Sequence, residues 1–333
     1  MWQVVNHTPY AAERGWIRDK HGAHCWIVAV KASFRVDPEG KLSLADEQPA
    51  PLLAPEFYGA DGASSLRYDA DLVPLKPVTD IWVNGHAYAP HDRPVAELPV
   101  SLRIASSVKT LLVRGDNSLS SGIVRTTHTP PRPFLRMPIT YERAYGGTDT
   151  SAPNADQHRI YARNPVGVGF SSARVRTGSP GPNVVYPGQD IAGMGPAGFG
   201  AIASHWSPRA ELAGTFDARW MQERRPLQPS DYDDRFVLCS PLDQRAPGYL
   251  AHGTHIELVH MTPDVPMRFK LPSLNLSFRT HFGSRTRTHP GVLASVVLEP
   301  DHRSVRLVWQ TSLAVLPTQL DNLDQTIVEE VKG

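Results

Sequence analysis

Histidines and carboxylates are the first residues to ask about chemistry in this chain. There are 14 histidines, densest at His252, His255 and His260. On a strand His252 and His255 point to opposite faces, so they make a poor ligand pair. No carboxylate or cysteine sits at complementary spacing, and no metal is expected. Asp69 and Asp71 would share one strand face, with Asp80 further on. Paired carboxylates can do acid–base work or hold calcium. Here Arg67, Lys76, Pro74 and Pro77 are interspersed, which makes an edge-strand set of salt bridges the expected reading. Glu142 lies beside Arg143 and near Tyr141 and Tyr145. That surrounding suits a general acid, and equally an internal ion pair that holds a bent backbone.

Other reactive patterns are missing. There is no Gly-x-Ser-x-Gly elbow, no phosphate-binding GxxxxGK[ST] and no strand-linked GxGxxG. Gly195–Gly200 is glycine-rich but contains Pro196 and Phe199, and no lysine follows, so a packed loop is expected. Arg279, His281, Arg285, Arg287 and His289 form a basic cluster that could touch phosphate. Without further aromatics beyond Phe278 and Phe282 it reads as a solvated hairpin tip. Trp206, Trp220 and Trp309 read as packing residues, although exposed tryptophan and tyrosine with arginine is also the composition of interface hot spots.

Composition sets the frame for these residues. The chain has 333 residues, 41% hydrophobic and 20% charged, an ordinary globular balance with ample length for a core. Its net charge of +1 creates no global field toward nucleic acid or an anionic membrane. With 31 prolines and 25 glycines the expectation is many short elements joined by shaped turns, and not a helical bundle. Cys25 and Cys239 read as small buried hydrophobes of a reducing compartment. The first thirty or so residues carry charges throughout, so no signal peptide is expected, and a cytoplasmic location follows. No cofactor is expected.

The elements that must position the candidates are mostly strands. His24–Val36 is rich in β-branched and aromatic residues. Asp37–Gly40 returns the chain into Lys41–Leu44. Asn84-Gly85 between two short alternating runs predicts a hairpin. Val100–Ile104 and Val108–Arg114 pair, as do Val292–Glu299 and Ser304–Val315. Thr254–Met261, Met267–Leu271 and Leu274–Phe282 are further strands. Thr215 is the expected N-cap of a helix over 216–225 ended by Pro226, with Phe216, Trp220 and Met221 on one face. A short C-terminal helix is expected over 320–331.

The fold expected is therefore mainly β, an antiparallel sandwich-like or multi-sheet core with long Gly/Pro-rich loops and two or three short helices. It reads as one large domain over 1–333. Within it lie an N-terminal β half (1–135), a Gly/Pro-rich centre (136–235), a C-terminal β half (236–318) and a helical tail (319–333). The centre is the most unusual stretch. Tyr141, Glu142, Arg143, Tyr145, Gly146 and Gly147 are followed by Asn164, Pro165, Gly167 and Gly169. Glycine pairs supply backbone angles that other residues resist, and Asn-Pro favours a turn.

Taken in order, these motifs resemble a known family. Asn6-His-Thr-Pro9, Val28–Phe34, Arg67-Tyr-Asp-Ala-Asp71, Lys76-Pro-Val-Thr-Asp80 and Val83-Asn-Gly85 look like the start of the domain-of-unknown-function family 2169. The likeness continues through Lys109, Arg114-Gly-Asp116, Met137–Gly147, Asn164–Gly169, Pro196–Gly200, Trp206-Ser-Pro-Arg209, Leu212–Asp217, Trp220 and Asp231-Tyr-Asp233. Members of this family are found with type VI secretion genes. The resemblance implies an accessory adaptor, with no chemistry of its own, that holds an effector and loads it onto the spike or its tip protein. With the near-zero net charge, no nucleic-acid and no membrane partner is expected. The resemblance also marks Tyr141, Glu142, Arg143, Tyr145, Gly146, Gly147, Asn164, Pro165, Phe199, Trp206 and Trp220 as protein-binding or structural residues. Two rivals belong to other classes. A carbohydrate-active or other β hydrolase would use Glu142 with Asp69 or Asp80, brought into one cleft. A structural component of the secretion apparatus would form stable homo-oligomers.

Overall fold

Strand His24–Val36 is the spine of the molecule. Its 13 residues are buried almost throughout, because both of its faces are covered. Such a strand reads as a continuous run of Val, Ile, Ala and aromatic residues and not as an alternation. The computed structural model describes residues 2–122, 126–172, 175–189 and 191–331. Around the spine lies a six-stranded sheet in the order Ala11–Arg18, His24–Val36, Ser304–Val315, Val292–Glu299, Asp80–Val83, with short Leu42–Leu44 also on the spine. All pairs are antiparallel except Asp80–Val83, which runs parallel to Val292–Glu299.

Two further sheets pack around it. A five-stranded antiparallel sheet runs Val184–Val185, Ser107–Arg114, Glu97–Ile104, His255–Val259, Met267–Lys270. A four-stranded sheet runs Gln3–Asn6, Leu323–Glu330, Leu276–Phe282, Arg285–Pro290. Buried side chains from all three join into one hydrophobic core, Trp26, Val100 and Phe278 among them. The fold is mainly β, 40% strand and 11% helical, and the described residues form no closed barrel. Among the described residues Ala218–Glu223 is the one α-helix; the other helical segments are 3-10 turns. Among the described residues no helix is long and apolar enough to cross a membrane.

Three local expectations are corrected. Asn84-Gly85 is not a hairpin. Asp80–Val83 stays in the six-stranded sheet, while His86–Tyr88 pairs with Arg136–Pro138. The Asn84 N–H donates to Leu298 and its Nδ2 to the Arg67 carbonyl, so the dipeptide carries the chain from one sheet to another. The glycine is needed there because Pro300 packs where a Cβ would stand. Residues 320–331 are not a helix either. A 3-10 turn, Pro317–Asn322, leads into strand Leu323–Glu330, whose Leu323, Thr326 and Val328 are buried. Finally, the helix starts later than expected. Asp217 caps it by accepting from the Trp220 N–H, while Thr215 bonds Asp231.

The four- and six-stranded sheets are joined by a buried polar chain. Trp26 Nε1 donates to Thr326 Oγ1 at 2.8 Å, and Thr326 and Thr280 hydroxyls meet at 2.8 Å. Thr280 Oγ1 lies 2.8 Å from His289 Nε2, and His289 Nδ1 lies 2.6 Å from Thr311 Oγ1, which donates to the Pro290 carbonyl. Tryptophan N–H only donates and a carbonyl only accepts, while a hydroxyl has one proton to give. The Thr311 proton goes to the Pro290 carbonyl, so His289 Nδ1 donates to Thr311; every hydroxyl proton in the chain then finds an acceptor when His289 is neutral and its Nε2 accepts from Thr280. A second proton on the ring would leave one hydroxyl proton without an acceptor. Burial, with the Arg287 charge beside it, pushes the His289 pKa from 6.5 down to about 4. His289 is thus part of the core and not of a solvated hairpin tip.

The sign of the pH effect follows from the depressed pKa. Below pH 6.5 the unfolded chain takes up a proton that the folded chain refuses until about pH 4. Stability should fall by about 1 kcal/mol per pH unit across that window. Urea unfolding of wild type and His289→Gln from pH 4 to 7.5 checks this: the variant, with an amide in place of the imidazole, should lack this part of the slope.

Candidate functional site

Asn164 is the hub of the irregular centre. It is fully buried, and its Nδ2 donates to the carbonyls of Tyr141 at 2.8 Å and Tyr145 at 3.1 Å. Its own carbonyl accepts the N–H groups of Gly147 at 2.8 Å and, through the turn begun by half-buried Pro165, Gly167 at 3.4 Å. One residue thus ties together backbone from both sides of an 18-residue excursion. The glycines exist to let it in. Gly146 and Gly147 have φ of +154° and +100°. A Cβ on Gly146 would overlap the Asn164 carbonyl, and one on Gly147 the Gly167 carbonyl. Tyr145–Gly146 then runs parallel to Val168–Gly169, and Tyr145, Tyr161 and Phe170 pack edge to face above it.

The charged neighbours face away from each other. Glu142 accepts from the Ser65 N–H at 2.7 Å and from the Ser65 hydroxyl. Arg143 donates to Asp116 and to Asn183 Oδ1. The internal Glu142–Arg143 ion pair, one of the two readings open for these residues, does not form: both brace the bent backbone, through separate partners. Tyr141 is buried, edge-on to Trp206 at 5.6 Å, with its hydroxyl 3.3 Å from the Gly200 carbonyl. Phe199 is buried under the Lys109 ammonium, and its carbonyl takes the Val83 N–H. The Pro196–Gly200 loop is thus packed against the centre.

Asp69, Asp71 and Asp80 form a salt-bridge set, but in the core and not at an edge. Asp80 is fully buried and accepts from Lys76 Nζ at 2.9 Å, the Cys239 N–H at 2.7 Å and the Ser240 N–H at 2.9 Å. Burial alone would raise its pKa. The Lys76 charge and the two loop residues outweigh burial and hold it well below the usual carboxylate range. Asp71 meets Lys31 at 2.8 Å, and Asp69 meets Arg209 at 2.6 Å. Arg209 also donates to the Phe236 and Ile202 carbonyls. Sequence reasoning named the acids and missed Lys31 and Arg209, which lie 40 or more residues from their partners. The histidines are dispersed. His255 is on a strand, His252 is exposed in the turn before it, and His260 bonds the Pro99 carbonyl. Among the described residues no three or more of His, Cys, Asp and Glu are grouped to hold a metal.

A cleft of about 590 Å³ opens beside the centre, lined by Gly147, Asp149, Ser151, Phe170 and Arg176 among others. Its one carboxylate is already engaged: Asp149 accepts from the N–H groups of Ser151 and Ser172 and from the Ser172 hydroxyl.

Gly214–Asp231 forms an arm of a different kind. Its base is closed by Thr215, which donates N–H and hydroxyl to Asp231 at 3.0 and 2.7 Å. The helix Ala218–Glu223 stands on this base. Trp220 Nε1 donates to the Leu227 carbonyl, and Arg224 Nη2 to the Lys20 carbonyl, so the arm is braced at its far side too. Phe216 packs edge-on to Trp220 at 4.8 Å, yet Phe216 and Met221 are 59% and 60% exposed.

Fold and site together define a multi-sheet β scaffold with a glycine-built centre and one hydrogen-bonded, apolar-tipped arm. The chain belongs to the family described as "uncharacterized protein conserved in bacteria (DUF2169)", whose model matches residues 21–310. No curated protein and no solved structure matches it at a significant level.

Asn164→Asp keeps the shape of the hub and puts oxygen where two carbonyls need a donor. It should destabilise the protein by about 2–4 kcal/mol at pH 7 in equilibrium urea unfolding. Gly146→Val should likewise lose folding first. A well-folded Gly146→Val protein that had lost only partner binding would reverse that assignment.

Proposed function

We propose that this protein is a non-enzymatic adaptor of the cytoplasm that binds a type VI secretion effector and helps load it onto its spike or tip carrier. The observation that carries the reading is the Gly214–Asp231 arm. Exposed Phe216 just before the helix and exposed Met221 on it flank half-buried Trp220, with arginines beside them, and this has the composition of an interface hot spot. Here it is held in place before any partner arrives, by the Thr215–Asp231 closure and the Trp220 and Arg224 bonds. Ordering cost on binding is correspondingly small. The likeness of the motifs to secretion accessory proteins supplies the class of partner.

The fates of the carboxylates support the same reading. A hydrolase built on Glu142 with Asp69 or Asp80 needs them open to one cleft. Asp80 and Asp69 are instead buried against Lys76 and Arg209, and Glu142 is taken up by Ser65. Carboxylates fixed by cations and N–H donors are poorly placed to exchange protons with a substrate.

The test is co-expression with the effector encoded by the adjacent gene. The effector should be soluble, loaded and secreted only with this protein present; equal solubility and normal secretion without it would end the adaptor reading. Phe216→Ala with Met221→Asp should weaken effector binding at least tenfold in a titration, with the melting temperature unchanged, since neither side chain is buried.

A further inference from the structure

We propose that strand Arg285–Pro290 is the docking edge for an acidic, extended segment of the bound effector, which joins the four-stranded sheet as an added strand. This rests on the adaptor reading above and names a second surface with its own chemistry.

The strand is the last of its sheet. It pairs with Leu276–Phe282 through a two-residue turn in which Gly283 has φ +56°. Phe282 and Arg285 flank that turn, so they exchange backbone hydrogen bonds, and so do Thr280–Arg287 and Phe278–His289 in register. The backbone N–H and C=O groups of Thr286 and Thr288 therefore face the open side. Residues 285–288 are all exposed. Two other edges are closed. Gly40 packs its Cα against the Arg268 carbonyl, on the outer strand of the five-stranded sheet. At the edge of the six-stranded sheet, the Val83 N–H is taken by Phe199. An open edge is a template for another strand, and proteins that do not use one usually blunt it.

Charge selects the occupant. Arg285 and Arg287 are exposed, and neither meets a carboxylate among the described residues; Arg287 reaches only the Ala314 carbonyl at 3.4 Å. Arg279 on the neighbouring strand is already paired with Glu329. Antiparallel pairing of two copies of this edge would set arginine against arginine, which is destabilising. An acidic segment gains from both side chains as well as from the backbone. The strand is stiff before binding, since His289 is anchored to Thr280 and Thr311 at one end and the turn closes the other.

The experiment uses the full-length protein and the purified product of the adjacent effector gene. Thr288→Pro removes an outward N–H at a position where an edge strand tolerates proline; Arg285→Glu with Arg287→Glu reverses the charge. Each should weaken effector binding at least tenfold without lowering the melting temperature, and the Thr286 and Thr288 amides should become protected from hydrogen exchange in the wild-type complex. Undiminished binding by both variants, or unprotected amides in the complex, overturns this inference and leaves the adaptor reading standing. Loss of binding in the arginine variant alone also overturns strand addition, because it reduces the contact to charge. An effector that fails to bind the wild-type protein removes both readings.

Discussion

The buried pair of Lys76 and Asp80 is the constraint on which the rest of the architecture depends. Asp80 opens the strand that closes one side of the six-stranded sheet, and its carboxylate holds Lys76 from the preceding loop and the N–H groups of Cys239 and Ser240. Two more ion pairs stand on the same loop, Asp71 with Lys31 of the spine and Asp69 with Arg209 of the central segment. Loop 69–80 is thus fastened to the spine, to the Gly/Pro-rich centre and to the entry of the C-terminal strands at once. Such pairs are weak evidence for net stability, because desolvation offsets most of the attraction. Their effect is on uniqueness. A buried charge tolerates only the arrangement that meets it, so alternative packings of these long loops are penalised by several kcal/mol.

That logic separates scaffold from surface. Asn164, the Gly146-Gly147 pair, Tyr141 with Trp206, and the three ion pairs all point inward and make their contacts within the chain. Among what the fold leaves outward are the Phe216–Met221 arm and the Arg285–Pro290 edge. Both are ordered by bonds behind them, Asp231 for the arm and His289 for the edge. A scaffold made rigid by its loops can present two such surfaces without ordering them anew when a partner arrives.

Much of the strand content was legible from local chemistry. His24–Val36 and the Val292–Glu299 and Ser304–Val315 hairpin were readable because β-branched runs were bounded by turn residues. What failed was long-range. Asn84-Gly85 carries the strongest hairpin signal in the chain, but the partner of each flank lies elsewhere, and no dipeptide encodes that. The C-terminal strand was hidden by Asp324, Glu329 and Glu330; Thr326-Ile-Val328 was the β-branched signal that outweighed them once Leu276–Phe282 and Gln3–Asn6 lay on either side. Asp69, Asp71 and Asp80 read as a salt-bridge set at a strand edge; their place in the core was hidden because the cations that neutralise two of them, Lys31 and Arg209, lie 40 or more residues away. The centre was recognisable from its glycines, though not the single asparagine around which they fold.

The most direct test of this account is equilibrium urea unfolding of Asp80→Asn. If the carboxylate is structural, its loss leaves the Lys76 ammonium buried without a counter-charge. Stability should then drop by about 3–5 kcal/mol, a large share of the roughly 5–15 kcal/mol of an ordinary domain. A variant that unfolds cooperatively within about 0.5 kcal/mol of wild type, the change expected of an unimportant surface position, would contradict the account and return Asp80 to the list of residues free to do chemistry.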